Sequence, residues 1–579
     1  MNPLSSVTLL LTIILSSGVY AQGFLRVEGQ QIVNEEGKAV LLRGMGLGGW
    51  MLQEGYMLRV QGIGQQQHVV KENIEYLVGT EKTTEFYKAW LANHTRRIDI
   101  DSMAAWGFNS VRLAMHYNLF TLPAEEEPIP GEQTWLEAGF ELTDSLLQWC
   151  KTNNMYLILD LHAAPGGQGN DLNISDRDPD KPSLWESEAN QQKTIALWRK
   201  LAERYADEPW LGAYDIINEP NWGFESPEDR NGCNEQLNKP LKNLMMDITK
   251  AIREVDKRHI IIVEGNCWGN NYNGIFPLWD DNMVISFHKY WNFNLQEDIQ
   301  KYLDIREAQN APIWLGESGE NSNVWFRDAI HLVESNGIGW AWWPLKKLGF
   351  NNPLEVKVPA NYQKILDYWG KKGPKPSPEE AYQGLMELTE NLKLENCIIH
   401  KDVIDAMFRQ VQTDATKAFK YHVLKDNITI RAVDYDLGRN GFAYADRDTG
   451  NYYISTGGAR TSGNQGHVYR NDGVDITGIP GDYYVSHFQS GEWLQYTVEA
   501  SRKGKFTLVL MVAADHANGQ LEISVNGISI KQAVSIPNSN GMETWKDLEI
   551  KGIRLKKGNN VIRIKALHGG FNFKAFQLK

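Results

Sequence analysis

The chain has 579 residues, 42% of them apolar and 23% charged, with a net charge of −13. That length exceeds one ordinary domain and sets two or three as the expectation. The acidic balance argues against a nucleic-acid binder built on a basic face, and the globular composition, free of low-complexity tracts, argues against a disordered chain.

Residues 1–21 read as a secretory signal. Val7 to Leu15 is mostly apolar, and Val19 and Ala21 supply small residues before a cleavage at Gln22. The apolar run is short for a membrane span, and no later segment looks transmembrane. The expected fate is export, secreted or periplasmic, with no membrane association once the signal is removed. A hairpin-like opening follows, "FLRVEGQQIVNEEGKAV", suited to closing the bottom of a barrel.

Strand and helix signals then alternate from about residue 39 to about residue 400. The strand candidates are "AVLLRGMG", "NSVRLAM", "MYLILDLH", "GAYDIINEP", "HIIIVEG", "MVISFHKY", "PIWLGES" and "IGWAWW". Their near-continuous apolar character is that of parallel strands buried on both faces. Between them, Ile195, Trp198, Leu201 and Tyr205 fall on one helical stripe, as do Leu241, Leu244, Met245, Ile248, Ile252 and Val255. Eight strands alternating with helices predict an α/β fold, a (β/α)8 TIM barrel, over residues 22–412, with 374–412 helical and completing its outer ring. Residues 413–426 read as a short linker. From about 427 the pattern alternates apolar and polar in "FTLVLMVA", "QLEISVNGISI" and "NVIRIKAL", and Asn526-Gly527 marks a hairpin. Residues 427–579 are therefore expected to form an all-β sandwich, jelly-roll-like.

The chemistry concentrates at strand ends, where such barrels carry their sites. Arg112, His162, Asn218, Glu219, His288, Tyr290, Glu317 and Trp343 all fall there. Two carboxyl groups converging in a cleft are the minimum equipment for cutting a glycosidic bond. Glu219 is the expected acid/base and Glu317 the nucleophile. Asn218 is placed to bond a sugar hydroxyl, Arg112 to keep Glu317 charged, and His288 and Tyr290 to orient. Trp343 would floor the subsite of cleavage. Trp222, Trp268 and Trp291 follow strand ends and suit sugar platforms, whereas Trp198, Trp314 and Trp342 read as core. Arg112 reads also as a simple ion-pair partner, and His162 equally well as a satisfied core histidine. The run "GMGLGG" fits a dinucleotide fingerprint only by its glycines, since no helix signal with a following acid accompanies it. No zinc spacing and no GxSxG elbow occur, so neither a metal site nor a serine esterase is expected. Cys150, Cys233, Cys267 and Cys397 are scattered, leaving one disulfide and buried free thiols both open.

Over residues 40 to about 345 the pieces "RGMGLGGW", "VRLAMHYNLF", "ILDLHAAPGGQG", "IINEPNW", "FHKY", "LGESGE" and "GWAWW" resemble glycoside hydrolase family 5, in order and spacing. The resemblance implies a retaining enzyme with Glu219 as acid/base, Glu317 as nucleophile, and Arg112, His162, Asn218, His288, Tyr290 and Trp343 in the site. "LRGMGLGGW" and "DLHAAPGGQG" look most like its exo-β-1,3-glucanase branch. Pro344-Leu345-Lys346 stands where that branch usually has a Trp-Lys pair, so β-1,3 and β-1,4 linkages both stay open. Residues 430–579 resemble carbohydrate-binding module family 6 through "YADRDTGNYY", "YRNDGVDI", "SGEWLQYTVEA" and "GGFNFKAFQLK". There Asn572 matches a sugar-binding Asn, while His487 and Met542 replace aromatic rings, and Arg431 and Val433 replace a Glu pair that often binds calcium. The implied protein is a monomeric hydrolase of a β-glucan, with polysaccharide or oligosaccharide as partner and no cofactor, a structural calcium in the sandwich staying open. Transglycosylation on the same glutamates, or sugar binding without turnover, are the alternatives.

Overall fold

A computed structural model of the protein describes residues 23–226, 228–290, 292–451 and 461–579. The expected signal, residues 1–21, and the platform candidate Trp291 lie outside these residues. Among the described residues, eight parallel strands close into a barrel. They are β1 Arg43–Gly46, β2 Ser110–His116, β3 Tyr156–Ala163, β4 Leu211–Asp215, β5 Ile260–Glu264, β6 Met283–Lys289, β7 Ile313–Gly319 and β8 Trp340–Trp343. The ring closes where Trp340 lies opposite Arg43 and Trp342 opposite Met45. Every position from β2 to β8 is buried. Helices cover the outer face and side chains fill the lumen, so neither face is wet and the runs show no alternation.

The helices form where their sequences favour them. Lys239–Val255 has Pro240 in its first turn and buries Leu241, Leu244, Met245, Ile248 and Ile252. Glu188–Tyr205 starts behind Ser187, whose hydroxyl accepts from the Asn190 N–H, and buries Trp198, Leu201 and Tyr205. The opening ribbon pairs Arg26–Glu28 with Gln31–Val33. The Val27 N–H donates to Asn282 just before β6, and the Tyr156 hydroxyl at the start of β3 donates to the Gly23 carbonyl. Both contacts place the ribbon at the end of the barrel opposite the candidate site.

Two expectations change. Helix Pro378–Asn391, expected in the outer ring, does not complete it. It packs with Ala360–Trp369, Gln67–Val78 and Thr80–His94 around a separate core that includes Ile74, Phe86, Trp90, Ile365 and Leu385. Only Lys401–Met407 with its short continuation joins the ring, against Asn323–Ser335. The apolar stripes were legible, but a stripe does not name its partner. Likewise, the span expected as linker is not free chain, because His422–Leu424 pairs in parallel with Trp493–Ala500 of the second domain.

Among the described residues, that domain has two six-stranded sheets enclosing a core with Tyr435, Tyr496, Leu508, Ile564 and Phe576. Asn526 and Gly527 have φ of 53° and 80°, the left-handed pair of a tight hairpin turn, and join Gln520–Val525 to Ile528–Ser535. The domain is clasped to the barrel through buried Asn471. Its amide donates to the Asn321 carbonyl, its backbone N–H to Asp402 Oδ2, and its carbonyl accepts from the Asn323 N–H, each at 2.8 Å. Asn321 and Asn323 sit just beyond β7, so the clasp reaches the rim on which the site is built. The side-chain part of the clasp is testable. Asn471→Ala leaves a buried carbonyl without its donor, and calorimetry should show a stability loss of about 1–3 kcal/mol. An unchanged melting temperature would refute this role.

Candidate active site

The C-terminal strand ends of the barrel surround a cavity of about 400 Å³ into which Glu54, His162, Glu219, His288, Glu317 and Trp343 project. The sequence-expected residues converge on it. One carboxylate oxygen each from Glu219 and Glu317 and a ring nitrogen of His288 lie within 4.8 Å of one another. That spacing suits a cation in principle. Hydrogen bonds account for it without one: Glu219 Oε1 is 2.6 Å from His288 Nδ1, and Glu317 Oε1 accepts from the Tyr290 hydroxyl at 2.7 Å.

Behind the cavity, Arg112 on β2 is fully buried. It donates to Glu317 Oε2 and Asn218 Oδ1, both at 2.8 Å, to Asp215 Oδ2 at 2.9 Å, and lies 3.2 Å from Asp160 Oδ2. Burial opposes its charge, but the carboxylates of Asp160, Asp215, Glu317 and Glu264 outweigh this and keep the guanidinium firmly protonated. Asn218 Oδ1 accepts from Arg112, so its Nδ2 faces His162 Nε2 at 3.3 Å as donor. His162 must then accept at Nε2 and carry its proton on Nδ1, which points at Asp160 Oδ2 2.8 Å away. His162 is thus both a satisfied buried histidine and a cavity wall. Its ring stacks on Trp343 at 4.8 Å, 6° from parallel.

Trp343 explains the glycine run of β1. A Cβ on Gly46 would stand 2.5 Å from Trp343 Cε3, and one on Gly48 2.5 Å from Trp343 Cζ2. The glycines leave room for a flat indole rather than for a phosphate. Trp343 Nε1 donates to the Tyr56 hydroxyl at 3.1 Å.

Glu219 lies beyond the end of β4, in a left-handed conformation with φ of 42°. A non-glycine residue held there is strained and must be fixed by its surroundings. Glu264 at the end of β5 does this: its Oε2 accepts the Glu219 N–H at 2.7 Å. Gln168, in the loop after β3, donates to the carbonyls of His162 and Asn218 and ties the two loops together. Glu264 Oε1 is also 3.1 Å from Arg112 Nη2 and 3.2 Å from His288 Nε2. The His288 contact is too bent for a hydrogen bond, and we read it as charge–charge. Burial works against a charged His288, yet Glu264 and Glu219 push its pKa well above the ordinary imidazole value. Burial, then the nearby Glu317 carboxylate, raises the Glu219 pKa to about 7, against the opposing pull of His288.

Residues 71–349 match the family Cellulase (glycosyl hydrolase family 5), and residues 463–579 match Carbohydrate binding module (family 6). The barrel is a glycosyl hydrolase family 5 domain. Among curated relatives, the chain is 25% identical over 387 residues to a "Beta-xylosidase" of Phanerodontia chrysosporium, covering 60% of this chain and 76% of that protein. It is 26% identical over 388 residues to "Endoglucanase C" of Acetivibrio thermocellus, covering 56% and 96%. With a "Probable glucan 1,3-beta-glucosidase A" of Aspergillus clavatus it shares 24% over 272 residues, covering 47% and 60%. The family 5 domain makes this protein an O-glycosyl hydrolase.

Two expected contacts are corrected. Trp222 does not line the cavity, because the Arg177 guanidinium lies over its ring at 4.8 Å. Trp268 does line it, carried on a loop whose neighbour Cys267 is disulfide-bonded to Cys233; Cys150 and Cys397 are free. Asn572 in the family 6 module is 4% exposed. Its Oδ1 accepts the His487 N–H and its Nδ2 donates to the Met542 carbonyl, so it holds two loops together instead of presenting an amide. At the positions implied for calcium, Arg431 places its guanidinium on Asp434 and Val433 is a buried hydrocarbon, so they do not fit the ion.

Sequence reasoning missed Glu264, Gln168 and Glu54. Glu54 follows β1, and burial together with the charges of Glu317, Glu320 and Glu219 pushes its pKa well up. Only the acid at the end of "IIIVEG" offered a signal for Glu264, since it breaks an otherwise apolar run. Replacing it is informative. Glu264→Gln should lower the His288 pKa, read as an imidazole titration by NMR, because the main opposing charge is gone. An unshifted His288 titration would show that Glu264 does not set its charge.

Proposed function

We propose that the protein is an exported, retaining β-glycosidase that hydrolyses a β-glucan by double displacement. Glu219 is the acid/base and Glu317 the nucleophile, with Arg112, His162, Asn218, His288, Tyr290 and Trp343 forming the sugar site around them. The observation that carries this reading is the approach of the two carboxylates to within 4.8 Å. Retaining enzymes hold their pair about 5–5.5 Å apart, whereas inverting enzymes keep about 6.5–9.5 Å to admit a water.

The surroundings of the two carboxyls suit the roles. Glu219, with a pKa of about 7, holds a proton below neutrality. Glu317 receives hydrogen bonds from Arg112 and Tyr290 that stabilise its anion. In the first step a Glu317 oxygen bonds to the anomeric carbon, the glycosidic C–O bond breaks, and the Glu219 proton passes to the departing oxygen. In the second, water attacks the same carbon, its proton goes to Glu219, and the bond to Glu317 breaks. The Trp343 indole and the His162 ring stacked on it give the sugar an apolar wall. The β-glucan assignment draws on the names of the relatives, two of the three being glucan-directed. Export accords with the Cys233–Cys267 disulfide, a bond that persists in oxidising compartments.

Product profiling on laminarin, cellulose, lichenan and mannan tests the substrate class; turnover only of mannan would refute it. Glu219→Gln should cut kcat by about 100- to 10,000-fold, and Glu317→Gln by at least as much. NMR of the first-formed sugar should show the β-anomer; an α-anomer would exclude the retaining mechanism. The pH profile follows from the acid. Activity needs Glu219 protonated, so kcat/KM should fall as pH rises through about 7. A profile flat to pH 9 would remove Glu219 from this role.

A further inference from the structure

Beside the catalytic cavity the same rim carries a second and larger one, of about 570 Å³. Its volume lies within the roughly 300–1,000 Å³ of small-ligand sites. Four pieces of chain wall it: helix Gln67–Val78, the turn after β2, the loop after β3, and the start of helix Glu188–Tyr205. The loop after β3 is the partition. Asp171 and Ile174 face the catalytic cavity, and Ser175 and Asp176 face the second one.

This partition is built, not slack. Asp176 has φ of 50° and its carboxylate is fixed on both oxygens. Oδ1 accepts the His68 N–H at 2.9 Å and lies 2.8 Å from His68 Nδ1, while Oδ2 lies 3.0 Å from His116 Nε2. Gly166 and Gly167 each have φ of 78°, and a Cβ on Gly166 would stand 2.2 Å from Asn190 Nδ2. Asn221, two residues beyond Glu219, accepts from Asp171 N–H at 2.7 Å through its side chain and from Asn170 N–H at 3.0 Å through its carbonyl. The wall of the second cavity is therefore bonded to the loop that carries the acid/base.

The lining states what could sit there. The Ser175 hydroxyl is buried with no hydrogen-bond partner among the described residues. Among its charged groups Glu72, Glu125, Glu126, Asp176 and Asp178 are acidic, and Lys181 is paired with Glu125 at 3.0 Å. Such a lining repels anionic sugars and accepts hydrogen bonds from neutral hydroxyls. The Tyr117 ring adds an apolar face for a pyranose. We propose that this cavity is a second carbohydrate subsite, taking neutral hexose units of the same glucan whose scissile bond lies next door. The proposal rests on the glucan reading above. The units could come from a side branch or from the continuing main chain, and both present the same hydroxyl chemistry.

Ala189 lines the mouth and is exposed near the start of its helix, so a large side chain fits there without disturbing the core. Ala189→Trp, and separately Tyr117→Ala, would be assayed on laminaribiose, linear laminarihexaose and branched laminarin. A loss of kcat/KM of tenfold or more on laminarin alone, with laminaribiose within twofold of wild type, identifies a branch. The same loss on laminarihexaose as well identifies the main chain. Equal effects on all three substrates, or none on any, overturn the proposal. If the wild-type enzyme cuts none of them, the glucan reading fails by itself. The subsite is then judged by calorimetric titration of laminarihexaose into Glu317→Gln with and without Ala189→Trp. Weaker binding in the double variant supports the subsite; identical binding, or no binding to either, overturns it.

Discussion

The buried guanidinium of Arg112 organises the centre of this barrel. Arg112 sits in the lumen with no exposed surface, and a charge there is tolerable only if its donors are all met. Asp160, Asp215, Glu264, Glu317 and Asn218 meet them. These residues come from β3, β4, β5, β7 and the loop after β4. One guanidinium therefore fixes the relative position of five chain segments at the rim. The consequences propagate outward. Asn218 is oriented by Arg112, His162 takes its tautomer from Asn218 and Asp160, and Trp343 lies flat on His162. Asp215 shows the strain on this cluster: burial drives its pKa well up even though Arg112 pulls the other way.

The two central carboxyls differ because their surroundings differ. Glu317 receives two hydrogen bonds, from a cation and from a phenol. Glu219 is buried against that negative charge, with His288 as its side-chain partner and a backbone pinned in a left-handed turn by Glu264. Like residues thus acquire unlike surroundings from position alone, and for Glu219 burial beside Glu317 raises the pKa. Glu264 acts on both, through the backbone of one and through the Arg112 contact of the other.

The family 6 module departs from a freely presented sugar binder. Arg563 covers the Trp493 ring at 3.5 Å, and Asn572 is occupied by backbone partners. The module is bound to the barrel where Asn471 meets the segment following β7. Asn321 in that segment also donates to the Tyr290 carbonyl, so the clasp and the cavity share a residue.

The sequence by itself determined the elements and the principal acids. Buried parallel strands impose uninterrupted apolar runs, so all eight were legible, and polar residues interrupting or closing those runs marked Arg112, Glu219, His288 and Glu317. It did not determine what each group touches. The packing of 360–391, the pairing of Cys233 with Cys267, the covering of Trp222 by Arg177 and the three-way role of Glu264 all join residues distant in the chain. Local spacing carries period and propensity, whereas hydrogen-bond partners, burial and proton affinity depend on distances between segments, which closure of the barrel alone sets.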